Sequence, residues 1–333
     1  MKCIRLQILS FLSLCLFTGC QHVASQLQPK HEGTRILHSD ELYAEVVDPD
    51  SENPYHQGLR FSPVAHVLSV FYKGHEFLYN PVAHNSIKDG GGLAMEFDLF
   101  HRGYEFGPPG YMDAEEGAPF MKIGIGLLNK NGPKYASYNH CYDVFQLAKT
   151  EVEWRKDSAV YTQQCPTVNG YGYELKSWLS LEGNRIEVHH RLTNTGSRSF
   201  FTLNYVHNFL QFDGKNSVKG YEVSLPYEFD ATIATKGVIL QDGRKLTFVD
   251  EVTPKMKGAS AKIEAFPADR LEETIYIDDP ALGMSMKVSV SEPAWRVTIH
   301  GGIDSLSPEQ FIRLDLSPGE SKEWVRQYIF KVR

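Results

Sequence analysis

Residues 171–209 read YGYELKSWLSLEGNRIEVHHRLTNTGSRSFFTLNYVHNF, and their periodicity decides the fold class. Tyr171, Tyr173, Leu175, Leu179 and Leu181 alternate with Glu174, Lys176 and Glu182. A period of two is that of a strand with one buried face. Gly183-Asn184 is a two-residue hairpin signal, after which Ile186, Val188 and Leu192 alternate with Arg185, Glu187 and Arg191. Asn194-Thr195-Gly196-Ser197 predicts the next turn. Beyond it Phe201, Leu203, Tyr205, His207 and Phe209 share one face of a third strand.

The same pattern extends outward. Near the end of the chain, residues 311–316 and 324–330 flank Ser317-Pro318-Gly319-Glu320. Pro at the second turn position and Gly at the third suit a type II turn. Further short runs at 66–73, 93–100, 121–128, 138–148, 151–156, 159–164, 221–228, 272–277, 283–291 and 295–300 predict strands. A helical period of 3.6 is nowhere sustained beyond about two turns. Many short strands joined by tight turns predict an all-β, mostly antiparallel sandwich in one domain over residues 43–333.

The N-terminus has a different character. Lys2 and Arg5 precede an apolar run from Leu6 to Phe17, closed by Thr18-Gly19-Cys20. The run is shorter than the roughly 20 residues a membrane span needs and has the layout of an export signal over residues 1–19. The cysteine after small residues resembles the lipobox of bacterial lipoproteins. That resemblance implies lipidation of Cys20 and an exported protein held to a membrane by acyl chains. A bulky Phe17 leaves ordinary signal cleavage and a soluble exported protein as the alternative. Residues 20–42 are polar and aperiodic and read as a tether.

Removing the leader takes two cations and no acid, moving the formal net charge from −7 to −9. A mildly acidic body without basic runs argues against nucleic-acid binding and against electrostatic attraction to anionic lipid. Cys141 and Cys165 remain after the leader and Cys20 are set aside. They are candidates for a disulfide in an oxidising compartment, with two separate buried thiols as the alternative. No HExxH, CxxC, P-loop or GxSxG is present, so the motifs predict no metal, no nucleotide and no other cofactor. Gly90-Gly91-Gly92 has no helix after it and reads as a glycine turn or bulge. With 17 tyrosines and 19 phenylalanines the composition suits a carbohydrate cleft, where apolar sugar faces stack on rings.

Two blocks carry a family resemblance. Leu192-Thr193-Asn194-Thr195-Gly196, followed by Asn204-Tyr205-Val206-His207-Asn208-Phe209, resembles the central hairpin of the galactose mutarotase (aldose 1-epimerase) superfamily. Ser307-Pro308-Glu309, followed by Leu316-Ser317-Pro318-Gly319-Glu320, resembles the glutamate strand and closing turn of that superfamily. The resemblance spans roughly residues 55–331 and implies a large β-supersandwich acting on a free sugar or an oligosaccharide end. It also implies roles: His207 as acid toward the ring oxygen, and Glu309 as base at the anomeric hydroxyl. The two should line one cleft, separated by a gap wide enough for a pyranose.

The chain departs from the family in its first half, where a His-Gly-Gly turn and a preceding arginine are expected. His300-Gly301-Gly302 has the letters but comes far too late. Glu96, His101 and His140 are candidates to replace that substrate contact, and Arg60 to supply the cation. The rival reading is a non-catalytic carbohydrate-binding lipoprotein of the same fold. A polysaccharide lyase or hydrolase is a weaker third, since no close carboxylate pair is legible. The protein is expected to be a monomer.

Overall fold

A strand with one apolar face needs a second apolar surface to cover it. In the computed structural model, among the described residues, two ten-stranded sheets supply it to each other, with a three-stranded sheet beside them. The structure describes residues 28–98, 107–136 and 142–333. In spatial order the first sheet runs Thr34–His38, Leu42–Val47, Val67–Tyr72, Leu93–Asp98, Phe200–Asn208, Leu306–Leu316, Ala294–Gly301, Ala259–Ile263 and Thr232–Ile233. His75–Glu76 is paired onto Val67–Tyr72. The second sheet is built around Met284–Val290, Ser321–Val332, Arg185–Asn194, Tyr171–Glu182 and Ser158–Val168. The strand pairs are antiparallel, and among the described residues the one helical turn is Phe212–Gly214.

The core lies between the two sheets. Val46, Val70, Met95, Val206, Ile312 and Leu314 of the first meet Leu175, Leu179, Val188, Met286, Trp324 and Tyr328 of the second in one buried cluster. The alternation in residues 171–192 is realised, with Leu175 opposite Leu192, Leu179 opposite Val188 and Leu181 opposite Ile186. The hairpin closes at Gly183-Asn184, between Glu182 and Arg185. At Ser317–Glu320 the Glu320 amide donates to the Ser317 carbonyl (3.0 Å), and Gly319 takes φ +75°, as a type II turn requires.

Two expectations change. The run at 121–128 is two strands, Pro119–Lys122 and Gly126–Asn129, because Gly124 (φ +85°) turns the chain between them. The tether expected over residues 20–42 ends earlier, since Thr34–His38 is an edge strand paired with Leu42–Val47. There Leu37 is buried, and the buried Glu45 carboxylate accepts the Lys30 and His31 amides and the Thr34 hydroxyl, tying the segment to the body. Among the three glycines at 90–92, Gly92 takes φ +63° and lies so near Val67 that a Cβ would fall 2.1 Å from its carbonyl oxygen. Backbone approach explains that residue. Cys165 is buried and its thiol is pushed up to about 12 by burial, whereas Cys141 and Cys20 lie outside the described residues.

Candidate active site

The Phe200–Asn208 strand lies between Leu93–Asp98 and Leu306–Leu316, which sets the geometry of the site. Tyr205 is opposite Glu96 and His207 is opposite Ala94, while Asn204 pairs with Ile312 on the other side. Antiparallel partners share a face, so Glu96, His207 and Glu309 project from three adjacent strands onto one surface of the sheet. The opposite face faces the core.

His207 is held between two carboxylates. Its Nδ1 is 2.7 Å from Glu309 Oε1 and its Nε2 is 2.9 Å from Glu96 Oε2. Arg60, in the segment leading into Phe61, donates through Nε to the same Glu96 oxygen (3.0 Å). An Arg60 terminal nitrogen lies 3.2 Å from His207 Nε2. The Ser307 hydroxyl donates to Glu309 Oε1 at 2.9 Å. Side-chain exposure falls from Arg60 (30%) through His207 (11%) and Glu309 (8%) to Glu96 (1%), so the cluster opens on the Arg60, His207 and Glu309 side.

Two anions face two cations here, and each holds the other charged. Burial alone would discharge the His207 imidazole, but the Glu309 charge and hydrogen bonds to both carboxylates raise its pKa above the ordinary 6.5. Burial works against both carboxylates as well. Arg60 and His207 nevertheless hold Glu96 below the usual carboxylate range, and His207 with Ser307 does the same for Glu309. Glu96 in turn raises Arg60 against its burial.

Aromatic rings form the walls. Phe61 stands edge-on to His207 at 5.2 Å between centroids, and Phe209 stacks on it at 5.7 Å. Tyr205 stacks on Phe311 at 4.0 Å, and the Arg296 guanidinium lies 4.0 Å over Phe311. His300 is opposite Ser307 on the neighbouring strand, with its pKa lowered by burial.

Of the residues singled out in the sequence, His207, Glu309, Glu96 and Arg60 come together. His101 and His140 lie outside the described residues. Two placements differ from expectation. Glu96 lies beneath His207 and Arg60 instead of facing a ligand. His207 and Glu309 are in direct contact instead of being separated by a ring-wide gap, because side chains on one face of neighbouring strands are only about 5 Å apart. The space open to a ligand is therefore over the edge of the pair, not between the two side chains. Ser307 was not singled out in the sequence; the signal for it is its place two residues before Glu309, on the same face of the Leu306–Leu316 strand. Arg296 carries no such signal, because its place depends on the register of another strand. Among the described residues no group of three or more His, Cys, Asp or Glu is placed to hold a metal ion.

Comparison with solved structures settles the fold. The Slr1438 protein from Synechocystis superposes with a TM-score of 0.56 at 13% identity, over 92% of this chain and 98% of the other. A galactose mutarotase-like protein from Lactobacillus casei gives 0.54 at 13% identity, over 90% and 100%. A galactose mutarotase related enzyme from Lactobacillus acidophilus gives 0.55 at 11% identity, over 90% and 97%. No protein-family model matches the chain, and no curated protein matches it by sequence. The chain has the galactose mutarotase-like β-sandwich fold, and at these identities the likeness establishes the fold alone.

Proposed function

We propose that this protein interconverts the anomers of a free aldose or of an oligosaccharide end, without a cofactor, in an exported and lipid-anchored form. The observation that carries the reading is the His207 imidazole in contact with the Glu309 carboxylate at the open edge of a buried, charge-balanced cluster. The ring oxygen and the anomeric hydroxyl are bonded to one carbon, so an acid and a base side by side can address both. The His207 imidazolium gives its proton to the ring oxygen as Glu309 takes the proton of the anomeric hydroxyl. The bond between the anomeric carbon and the ring oxygen then breaks, leaving an open-chain aldehyde. Rotation about the adjoining carbon–carbon bond and reclosure, with the two proton transfers reversed, yields the other anomer and restores both side chains. Glu309 Oε1 is engaged by His207 and Ser307, which leaves Oε2 to meet the anomeric hydroxyl.

The test is polarimetry of freshly dissolved aldoses. His207→Ala and Glu309→Ala should each slow catalysed interconversion by about 10²–10⁴-fold, with a much smaller loss of binding in saturation-transfer NMR. One observation favours a second reading, a binding protein without turnover: both imidazole nitrogens already face carboxylates. Wild-type protein that binds aldoses yet accelerates none of a broad panel would establish it.

Anchoring rests on the leader and on Cys20. Labelled palmitate should enter the wild-type chain and send it to the membrane fraction, and Cys20→Ala should abolish both. Absence of label from the wild-type chain would replace the anchored form with a soluble exported one.

A further inference from the structure

We propose that Glu96 is a positioning residue whose carboxylate keeps His207 doubly protonated by accepting its Nε2–H. Its use to the enzyme rests on the anomer reading above; the protonation state does not.

The geometry excludes the obvious alternative, a Glu96 that contacts substrate. Its side chain is almost fully enclosed, and one of its oxygens already receives both His207 Nε2 (2.9 Å) and Arg60 Nε (3.0 Å). A sugar hydroxyl reaching that oxygen would have to displace them.

The protonation state follows from counting protons. A neutral imidazole has one N–H and one lone pair. With carboxylate oxygens 2.7 Å from Nδ1 and 2.9 Å from Nε2, a neutral ring would set its lone pair against an anion on one side. Only the imidazolium donates to both. The competing arrangement has Arg60 donating into a neutral Nε2, but that contact is the longer one at 3.2 Å, and it leaves the Nε2 lone pair facing Glu96 at 2.9 Å. Arg60 is better used on Glu96, where its Nε donates.

The charged and titratable groups around the ring come from every element packed on it. Glu96 comes from one neighbouring strand and Glu309 from the other, and Arg60 from the segment leading into Phe61. Tyr205 lies on the same strand, and His300 couples to both His207 and Glu309 from the strand beyond. Lys122 acts on Glu96 from the small sheet. Glu309 alone would hold one N–H. The second proton needs the second carboxylate, and no other described carboxylate contacts Nε2.

The experiment is ¹H–¹⁵N correlation spectroscopy of histidine side chains in the full-length protein, with His207 assigned by the signal lost in His207→Gln. Wild-type His207 should show both nitrogens in the imidazolium form at pH 7, with its titration midpoint above that pH. In Glu96→Gln, which keeps the shape and removes the charge, the midpoint should fall by about one pH unit or more. Glu96→Asp should restore part of the difference. Polarimetry of Glu96→Gln should show a reduced kcat at neutral pH, recovered at lower pH, with KM little changed. A neutral His207 in the wild type at pH 7, or an unshifted midpoint in Glu96→Gln, overturns the proposal. If Glu96→Gln does not fold, the wild-type spectrum and Glu96→Asp still decide it. A wild type that never accelerates mutarotation but shows the predicted titrations removes the anomer reading and leaves the protonation assignment standing.

Discussion

His56, His66 and His190 are buried histidines outside the candidate site, and burial sets their pKa values near 3, 4 and 3. His190 shows the local cause most plainly. Its Nδ1 is 2.8 Å from the Ser177 hydroxyl and its ring stacks on Trp324 at 5.0 Å, with no anion to hold a proton. A folded-state pKa below the unfolded 6.5 means stability that is complete above pH 6.5 and lost as the pH falls through the window below it. Each such histidine removes up to about 1.4 kcal/mol per pH unit there. His207 has the opposite sign: its raised pKa contributes stability below 6.5 that disappears as the pH rises through its folded value. Glu96 and Glu309, both lowered, contribute above 4.5 and lose that contribution only in more acidic solution. Between pH 6.5 and 4.5 the three neutral histidines should therefore dominate this set. Denaturant midpoints are expected to fall from pH 7 to pH 5, and a flat or rising profile would contradict the burial argument.

At the scale of elements, the two blocks that carry the family resemblance turn out to touch. Asn194 accepts the Gly319 amide through its carbonyl, and its own amide donates to the Glu320 carbonyl, both at 2.9 Å. Its buried side chain donates to the carbonyls of Arg198 (2.8 Å) and Leu316 (3.2 Å) and accepts the Gly196 amide (2.9 Å). The asparagine thus pins the turn after Arg185–Asn194 to the turn before Ser321–Val332, and with it the ends of the strands that carry His207 and Glu309. Its role is structural. Asn194→Ala takes the partner from the buried Leu316 carbonyl, from the Arg198 carbonyl and from the Gly196 amide, and should cost about 2–4 kcal/mol. Thermal unfolding is the measurement, and a loss below about 1 kcal/mol would mean that the two turns hold their geometry without it.

At the scale of the whole molecule, the second sheet supports the site from behind. Arg326, buried between the sheets, donates to the Asn204 side chain (3.0 Å) and to the carbonyls of Asn204 (3.3 Å) and Gln310 (3.2 Å). Those residues lie on the strands of His207 and Glu309, so one guanidinium from the opposite sheet spans the two strands whose outer faces present these two side chains. Enclosure lowers the Arg326 pKa to about 10 and leaves it charged at neutral pH. The apolar alternation from Tyr171 to Leu192, the hairpin at Gly183-Asn184 and the turn at Ser317–Glu320 were legible in the chain, because period and turn chemistry are local properties. His207 and Glu309 were legible only through blocks that resemble motifs of a known superfamily. The tertiary structure alone decided that Glu96, 111 residues before His207, meets its second nitrogen, and that Arg60 closes on the same carboxylate. It also decided that His207 and Glu309 touch and that Thr34–His38 belongs to the folded body. The physical reason is common to all four. A period of two says which face of a strand a residue occupies, but which strand lies alongside is set by how both sheets bury their apolar faces together.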